Sequence, residues 1–117
     1  MDKILGRTRR AALLAATLVA AAASALAQVT LTDQTRVRTV NTGWGGDMLR
    51  IEVTSPIVNP AGCATPDGYV VGAQHSWYKV TTAAALTGYT LGRPVRIAVS
   101  HTECFAGRPL MLGIHLE

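Results

Sequence analysis

The sequence predicts a small, mainly β domain with a single α-helix, and three observations support this class. Short runs that alternate apolar and polar residues, typical of half-buried strands, recur along the chain. One segment instead has apolar residues three and four apart, typical of a helix. Two cysteines, Cys63 and Cys104, fall within the 90 residues from 28 to 117. We therefore expect one domain over residues 28–117 with a modest core.

Residues 1–27 are predicted to be a signal peptide. A basic start precedes an apolar run over residues 11–23 that is short for a membrane span, and Ala25-Leu26-Ala27 is a small-x-small cleavage motif. We expect cleavage after Ala27 and Gram-negative-type export to the periplasm or out of the cell, with no membrane attachment after cleavage. The alternative is an N-terminal membrane anchor.

The leader also carries most of the positive charge. It holds four of the 11 Lys and Arg residues and one of the 7 Asp and Glu residues, so residues 28–117 keep seven bases and six acids. Nucleic-acid binding needs a clustered basic surface, which this balance does not provide. Arg36, Arg38 and Arg50 are interpreted as a solvated strand face, with a small basic patch as the alternative.

Two strands around a glycine-rich turn predict a β-hairpin. The strands cover residues 34–41 and 48–54, and the turn between them has glycines on both sides of Trp44. Residues 28–34 are polar and are expected to be loosely held. Three side chains of the second strand are expected in the core: Leu49, Ile51 and Val53.

The second half of the domain predicts a strand, a helix and two more strands. The expected elements are a loop over 55–68, a strand from Tyr69 to Val71, a helix from Trp77 capped by Ser76, and strands over 95–99 and 110–116 around a loop over 101–108. Gly92 provides a left-handed helix stop, and Pro94 prevents continuation. The helix is expected to pack through one stripe: Tyr78, Thr82, Ala85, Leu86 and Tyr89.

The element order is thus strand, strand, strand, helix, strand, strand. Five short strands in so small a domain favour a five-stranded barrel over a sandwich, because closure removes exposed strand edges. With the helix between the third and fourth strands, this order is that of an OB-fold. We expect an OB-like barrel with the helix over one end or one face.

The segment from Leu86 to Ile97 resembles the helix-end-to-strand segment of B subunits of bacterial pentameric toxins of the subtilase and pertussis-like type. Gly92 and the strand Val95-Arg96-Ile97 carry the resemblance. It implies an OB-like barrel, ring-forming homo-oligomers and glycan binding on an exposed sheet face or loop. The cysteines are placed differently from those of the toxin subunits, and no sugar-contacting residue is carried over.

The cysteines are predicted to form a disulfide, because the compartment is oxidising and the domain is small. Two free thiols or an intermolecular bridge are the alternatives. The run His101-Thr102-Glu103-Cys104 would suit a metallohydrolase or a Cys–His nucleophile, but a disulfide sulfur neither attacks nor binds metal. Without a recognisable hydrolase or phosphate-binding motif, we expect no enzyme activity, no catalytic residue, no cofactor and no metal site.

Three residues form the predicted ligand surface: Trp44, Asp47 and Phe105. Trp44 is expected to fold back over the barrel mouth as core, and the alternative is an exposed indole that stacks on a sugar, a base or a partner. Phe105 is expected to shield the disulfide, with a partner-facing role as the alternative. The sequence thus favours an exported, non-catalytic binding module for a glycan or a cell-envelope protein. A structural subunit of a homo-oligomeric ring and an inhibitor of a secreted enzyme are the alternatives.

Overall fold

The structure is a computed structural model that describes residues 28–43 and 45–117. The predicted leader with its cleavage point at Ala27, and the predicted ligand residue Trp44, therefore lie outside the described residues. The elements are β1 (Val29–Leu31), β2 (Val37–Thr42), β3 (Met48–Val53), β4 (Tyr69–Gly72), α1 (Tyr78–Leu91), β5 (Val95–Phe105) and β6 (Arg108–Leu116). The mainly β class with one helix is confirmed for these residues.

The strands form one open sheet in the order β1-β5-β6-β4-β3-β2. Neighbours pair antiparallel except β4 and β6, which are parallel. The expected closed barrel of five strands is wrong, since the sheet is open and has six strands. The sheet stays open because β1 pairs along the edge of β5 that barrel closure would need. The chain just before β2 contacts β5 through the single bridge between Thr35 and Val95. After β1, the element order is the predicted one.

The loop expected over 101–108 is mostly strand. β5 continues to Phe105, and a tight turn of Ala106 and Gly107, both at positive φ, leads directly into β6. The polar residues that suggested a loop form a bulge, where the pairing of β5 with β6 shifts between Val99 and Cys104. Within this bulge the hydroxyl of Ser100 accepts hydrogen bonds from two backbone N–H groups.

The helix begins one residue later than expected and is not capped by Ser76. Trp77 occupies the N-cap position without a side-chain cap, and the N–H of Tyr78 donates to the carbonyl of His75 at 3.1 Å. The predicted stop is confirmed, because Gly92 is left-handed at φ 61° and the N–H of Arg93 donates to the carbonyl of Gly88.

The helix packs mainly through small residues, and only part of the predicted stripe faces the core. Its buried residues are Thr81, Ala85 and Gly88, and Tyr78 also packs against the core. Leu86 and Tyr89 are instead exposed, by 47% and 50%. A Cβ at Gly88 would lie 3.1 Å from a methyl of Val95, so the glycine lets the helix approach the sheet closely. The helix face that packs against the sheet is therefore the one whose small residues allow close approach, and not the one with the bulkiest apolar side chains.

The core lies between the helix and one face of the sheet. It includes the three side chains expected from β3, together with others from every strand but β1: Val37, Leu49, Ile51, Val53, Tyr69, Val71, Ala85, Val95, Ile97, Val99 and Met111. The buried Tyr69 accepts a hydrogen bond at its hydroxyl from the N–H of Val58, at 2.8 Å. The loop before β4 is thereby attached to the core.

The predicted disulfide is present. Cys63, buried in the loop before β4, is bonded to Cys104 near the end of β5, across 41 residues of sequence. In the chain-entropy model, closing a loop of this length removes unfolded-state freedom equivalent to about 4 kcal/mol.

We predict that the double variant Cys63→Ala/Cys104→Ala is less stable than the parent by about 4 kcal/mol, since it lacks this constraint on the unfolded chain. Urea unfolding of the oxidised parent, the reduced parent and the variant measures the difference. The reduced parent is the matched control and should resemble the variant. Equal unfolding midpoints for the variant and the oxidised parent contradict the prediction.

Candidate ligand-binding surface

Two of the predicted ligand residues lie at the same end of the sheet, where β4 ends. Asp47 lies exposed in the turn between β2 and β3, and its carbonyl accepts a hydrogen bond from the N–H of Ala73 at 2.9 Å. Phe105, the last residue of β5, is half-buried and lies against Gly72, the last residue of β4. Gly72 also pairs with Met48. The ring of Phe105 and the backbone of Asp47 therefore both lie beside the end of β4.

Two residues of this surface, His75 and Trp77, were not among the predicted ligand residues. His75 meets the ring of Phe105 edge to face, with centroids 5.2 Å apart, and lies against Trp77 at 4.9 Å. All three rings are half-buried. The sequence feature that pointed to this cluster was the group of ring-bearing residues just after β4. Their contact with Phe105 arises from strand pairing, which cannot be read from the sequence. We call Asp47, His75, Trp77 and Phe105 the β4-end surface.

Hydrogen bonds hold two of these rings in place. Nδ1 of His75 lies 3.0 Å from the N–H of Gly72 and 3.2 Å from the carbonyl of the same residue. The indole N–H of Trp77 donates to the carbonyl of Met111 at 2.9 Å. The Trp77 ring also packs against the core. The ring positions on this surface are therefore preorganised.

An ion network on the opposite face of β3 from the core fixes the loop that precedes β4. Asp67 accepts hydrogen bonds from Nε of Arg108 at 2.6 Å and from Nε of Arg50 at 3.2 Å. Arg50 also donates to Glu52 at 3.0 Å and to the backbone carbonyl of Asp67 at 2.9 Å. Arg50 was expected on a solvated strand face, but it is 8% exposed because this loop covers it.

The ion network lowers the pKa values of its two acids, Asp67 and Glu52. Hydrogen bonds from Arg108, and then from Arg50, hold the pKa of Asp67 below its ordinary value of 3.8. A hydrogen bond from Arg50 likewise lowers the pKa of Glu52. The two acids stay ionised between the guanidinium groups at neutral pH, so the network acts as a clamp between the loop, β3 and β6.

The residues considered for catalysis are spread along the bulge of β5. His101 and Glu103 are exposed, and Nδ1 of His101 lies 3.4 Å from the hydroxyl of Thr30 on β1. The sulfur of Cys104 is in the disulfide. Among residues 28–43 and 45–117, no group of three or more His, Cys, Asp and Glu side chains is arranged to hold a metal ion.

A concave feature lies near the Thr35–Val95 bridge. It has a volume of about 160 Å³ and is lined by Gln34, Thr35, Arg36, Thr54 and Pro94.

In the described part of the chain, no helix combines the length and apolar character needed to cross a membrane. Comparisons with protein-family models, with curated proteins and with solved structures give no significant match.

We predict that Asp67→Asn lowers the free energy of unfolding at pH 7 by about 1–2 kcal/mol, because Arg50 then keeps one carboxylate partner. The Asp67 side chain is 45% exposed, so solvent screening limits the effect. Since the folded-state pKa of Asp67 is lowered, its contribution is present above about pH 4 and is lost as the pH falls through that pKa.

Urea unfolding between neutral and acidic pH tests this expectation. Asp67→Asn should show a smaller loss of stability on acidification than the parent, while the control Asp33→Asn, at an exposed acid outside the network, should follow the parent. An unchanged pH dependence in Asp67→Asn contradicts the role given to the clamp.

We also predict that Gly72→Ala disrupts the aromatic contacts and lowers stability by about 1–3 kcal/mol, since a Cβ there would meet the Gln74 side chain and would lie 2.7 Å from Cζ of Phe105. Gly46→Ala is the matched control, because its Cβ would meet nothing within 4 Å. Near-UV circular dichroism and urea unfolding measure the two effects. Identical spectra and midpoints for both variants would show that Phe105 does not require Gly72.

Proposed function

We propose that the chain is an exported, non-catalytic binding module and that its ligand contacts the β4-end surface. The observation that carries this proposal is the fixed cluster of half-buried rings, His75, Trp77 and Phe105, beside the end of the turn that presents Asp47. Aromatic faces with a few placed polar groups are typical of ligand sites. A sugar ring, with an apolar face and a rim of hydroxyls, matches that chemistry, so we favour a glycan over a cell-envelope protein.

The strand order supports an OB-like module in an open form. In OB-folds, oligosaccharides and oligonucleotides bind at the loop between the first two strands and the loop between the last two. If β1 is set aside, the corresponding connections here are the turn over residues 43–47 and the turn of Ala106 and Gly107. The first turn contributes Asp47 to the β4-end surface, and Phe105 directly precedes the second. The near balance of charge in residues 28–117 favours the sugar over the nucleic acid.

Export is part of the same proposal. The disulfide fits an oxidising compartment, because cytosolic thiols are kept reduced. We infer that residues 1–27 direct the chain to the periplasm or the cell exterior and are removed after Ala27.

A second candidate function, a structural subunit of a homo-oligomer, is favoured by the open edge of the sheet. β1 is an edge strand, and its Val29 and Leu31 side chains are 49% and 54% exposed. An unprotected edge invites pairing with another chain. Light scattering on residues 28–117 tests this candidate: a mass of several chains supports it, and a monomer at high concentration contradicts it.

A glycan array probed with residues 28–117 tests the binding proposal. We expect Phe105→Ala and Asp47→Asn to weaken binding to the recognised glycan by at least about tenfold, equivalent to about 1.4 kcal/mol, because each removes a direct contact. Thr87→Ala, on the exposed side of the helix, is the control and should bind like the parent. An array without any recognised glycan, or equal binding by all variants, contradicts the glycan assignment to this surface.

A further inference from the structure

We propose that Gln28 is a modification site, at which the chain's new N-terminus cyclises to pyroglutamate. This inference rests on the export proposed above, since it needs cleavage after Ala27 to release the α-amine of Gln28. Gln28 lies next to the edge strand β1 and is not part of the β4-end surface. The chemistry is intramolecular and requires no cofactor or partner.

The structure leaves Gln28 free to react without disturbing the fold. The residue is exposed, and its backbone carbonyl accepts a hydrogen bond from the N–H of His101 at 2.7 Å. Cyclisation uses the α-amine and the side-chain amide, and it leaves that carbonyl untouched. The hydrogen bond to His101 and the pairing of Val29 with Ser100 therefore persist in the modified chain.

The reaction balances within the residue itself. The uncharged α-amine, whose ordinary pKa is about 8, attacks Cδ of the side-chain amide. The bond from the α-nitrogen to Cδ forms, the bond from Cδ to Nε2 breaks, and Nε2 leaves as ammonia with a proton from the amine. The product is a five-membered lactam that carries no charge.

The position of Gln28 gives the modification a role. β1 has three residues, forms the edge of the sheet and begins at the next residue. β1 is therefore the first strand that an exopeptidase acting after the proposed cleavage would reach. Aminopeptidases need a free α-amine, which the lactam lacks. Trimming of β1 would remove Thr30 from its partner Val99, a fully buried core residue, so the blocked end protects the sheet.

Mass spectrometry of the protein purified after export tests the inference. We expect an intact mass for residues 28–117 that is lower by one ammonia than the disulfide-bonded chain with a free Gln28. Gln28→Ala should show no such loss, whereas the matched control Gln34→Ala should keep it. Treatment with an aminopeptidase should leave the parent intact and remove residues from the Gln28→Ala chain.

Two results would overturn the inference, and they are distinguishable. A chain that begins at Gln28 and retains its amine, even after prolonged incubation at neutral pH, contradicts the modification alone and leaves export in place. A chain that begins at another residue, or keeps residues 1–27, contradicts the cleavage on which both proposals depend.

Discussion

The bond between Cys63 and Cys104 joins the loop before β4 to the far end of β5, and the arrangement of this domain depends on that attachment. The loop has no strand pairing of its own. The disulfide, the clamp at Asp67 and the hydrogen bond to the Tyr69 hydroxyl hold it against the sheet. A domain of this size has a small core, so constraints on the unfolded chain carry a large share of its stability.

The same attachment positions the β4-end surface. Phe105 follows Cys104 directly, and its ring meets His75, which belongs to the connection between β4 and the helix. The crosslink thus fixes the end of β5 relative to β4 on one side of the surface, while packing of Trp77 against the core fixes the other. Stability and the proposed recognition therefore share one structural element, and residues that look like packing alone also shape the surface.

The sequence predicted the features that local chemistry determines. Alternation placed Leu49 and Ile51 in the core, Gly92 ended the helix, and the two cysteines paired. The features that it did not predict depend on distant partners. Residues 29–31, in the segment expected to be loosely held, become a strand because β5 offers a free edge, and that same pairing leaves the sheet open. The cluster around His75 forms because Gly72 and Phe105 meet across the sheet. The likeness to toxin B subunits stays a prediction.

The most direct test of this account measures whether the crosslink positions the aromatic surface. Nuclear Overhauser effects between the ring protons of Phe105 and His75 report their contact in the oxidised domain and in the Cys63→Ala/Cys104→Ala variant, under conditions in which both remain folded. The account predicts strong effects in the oxidised domain and weak or absent ones in the variant. Effects of equal strength in both would contradict it, because the strands alone would then hold the surface in place.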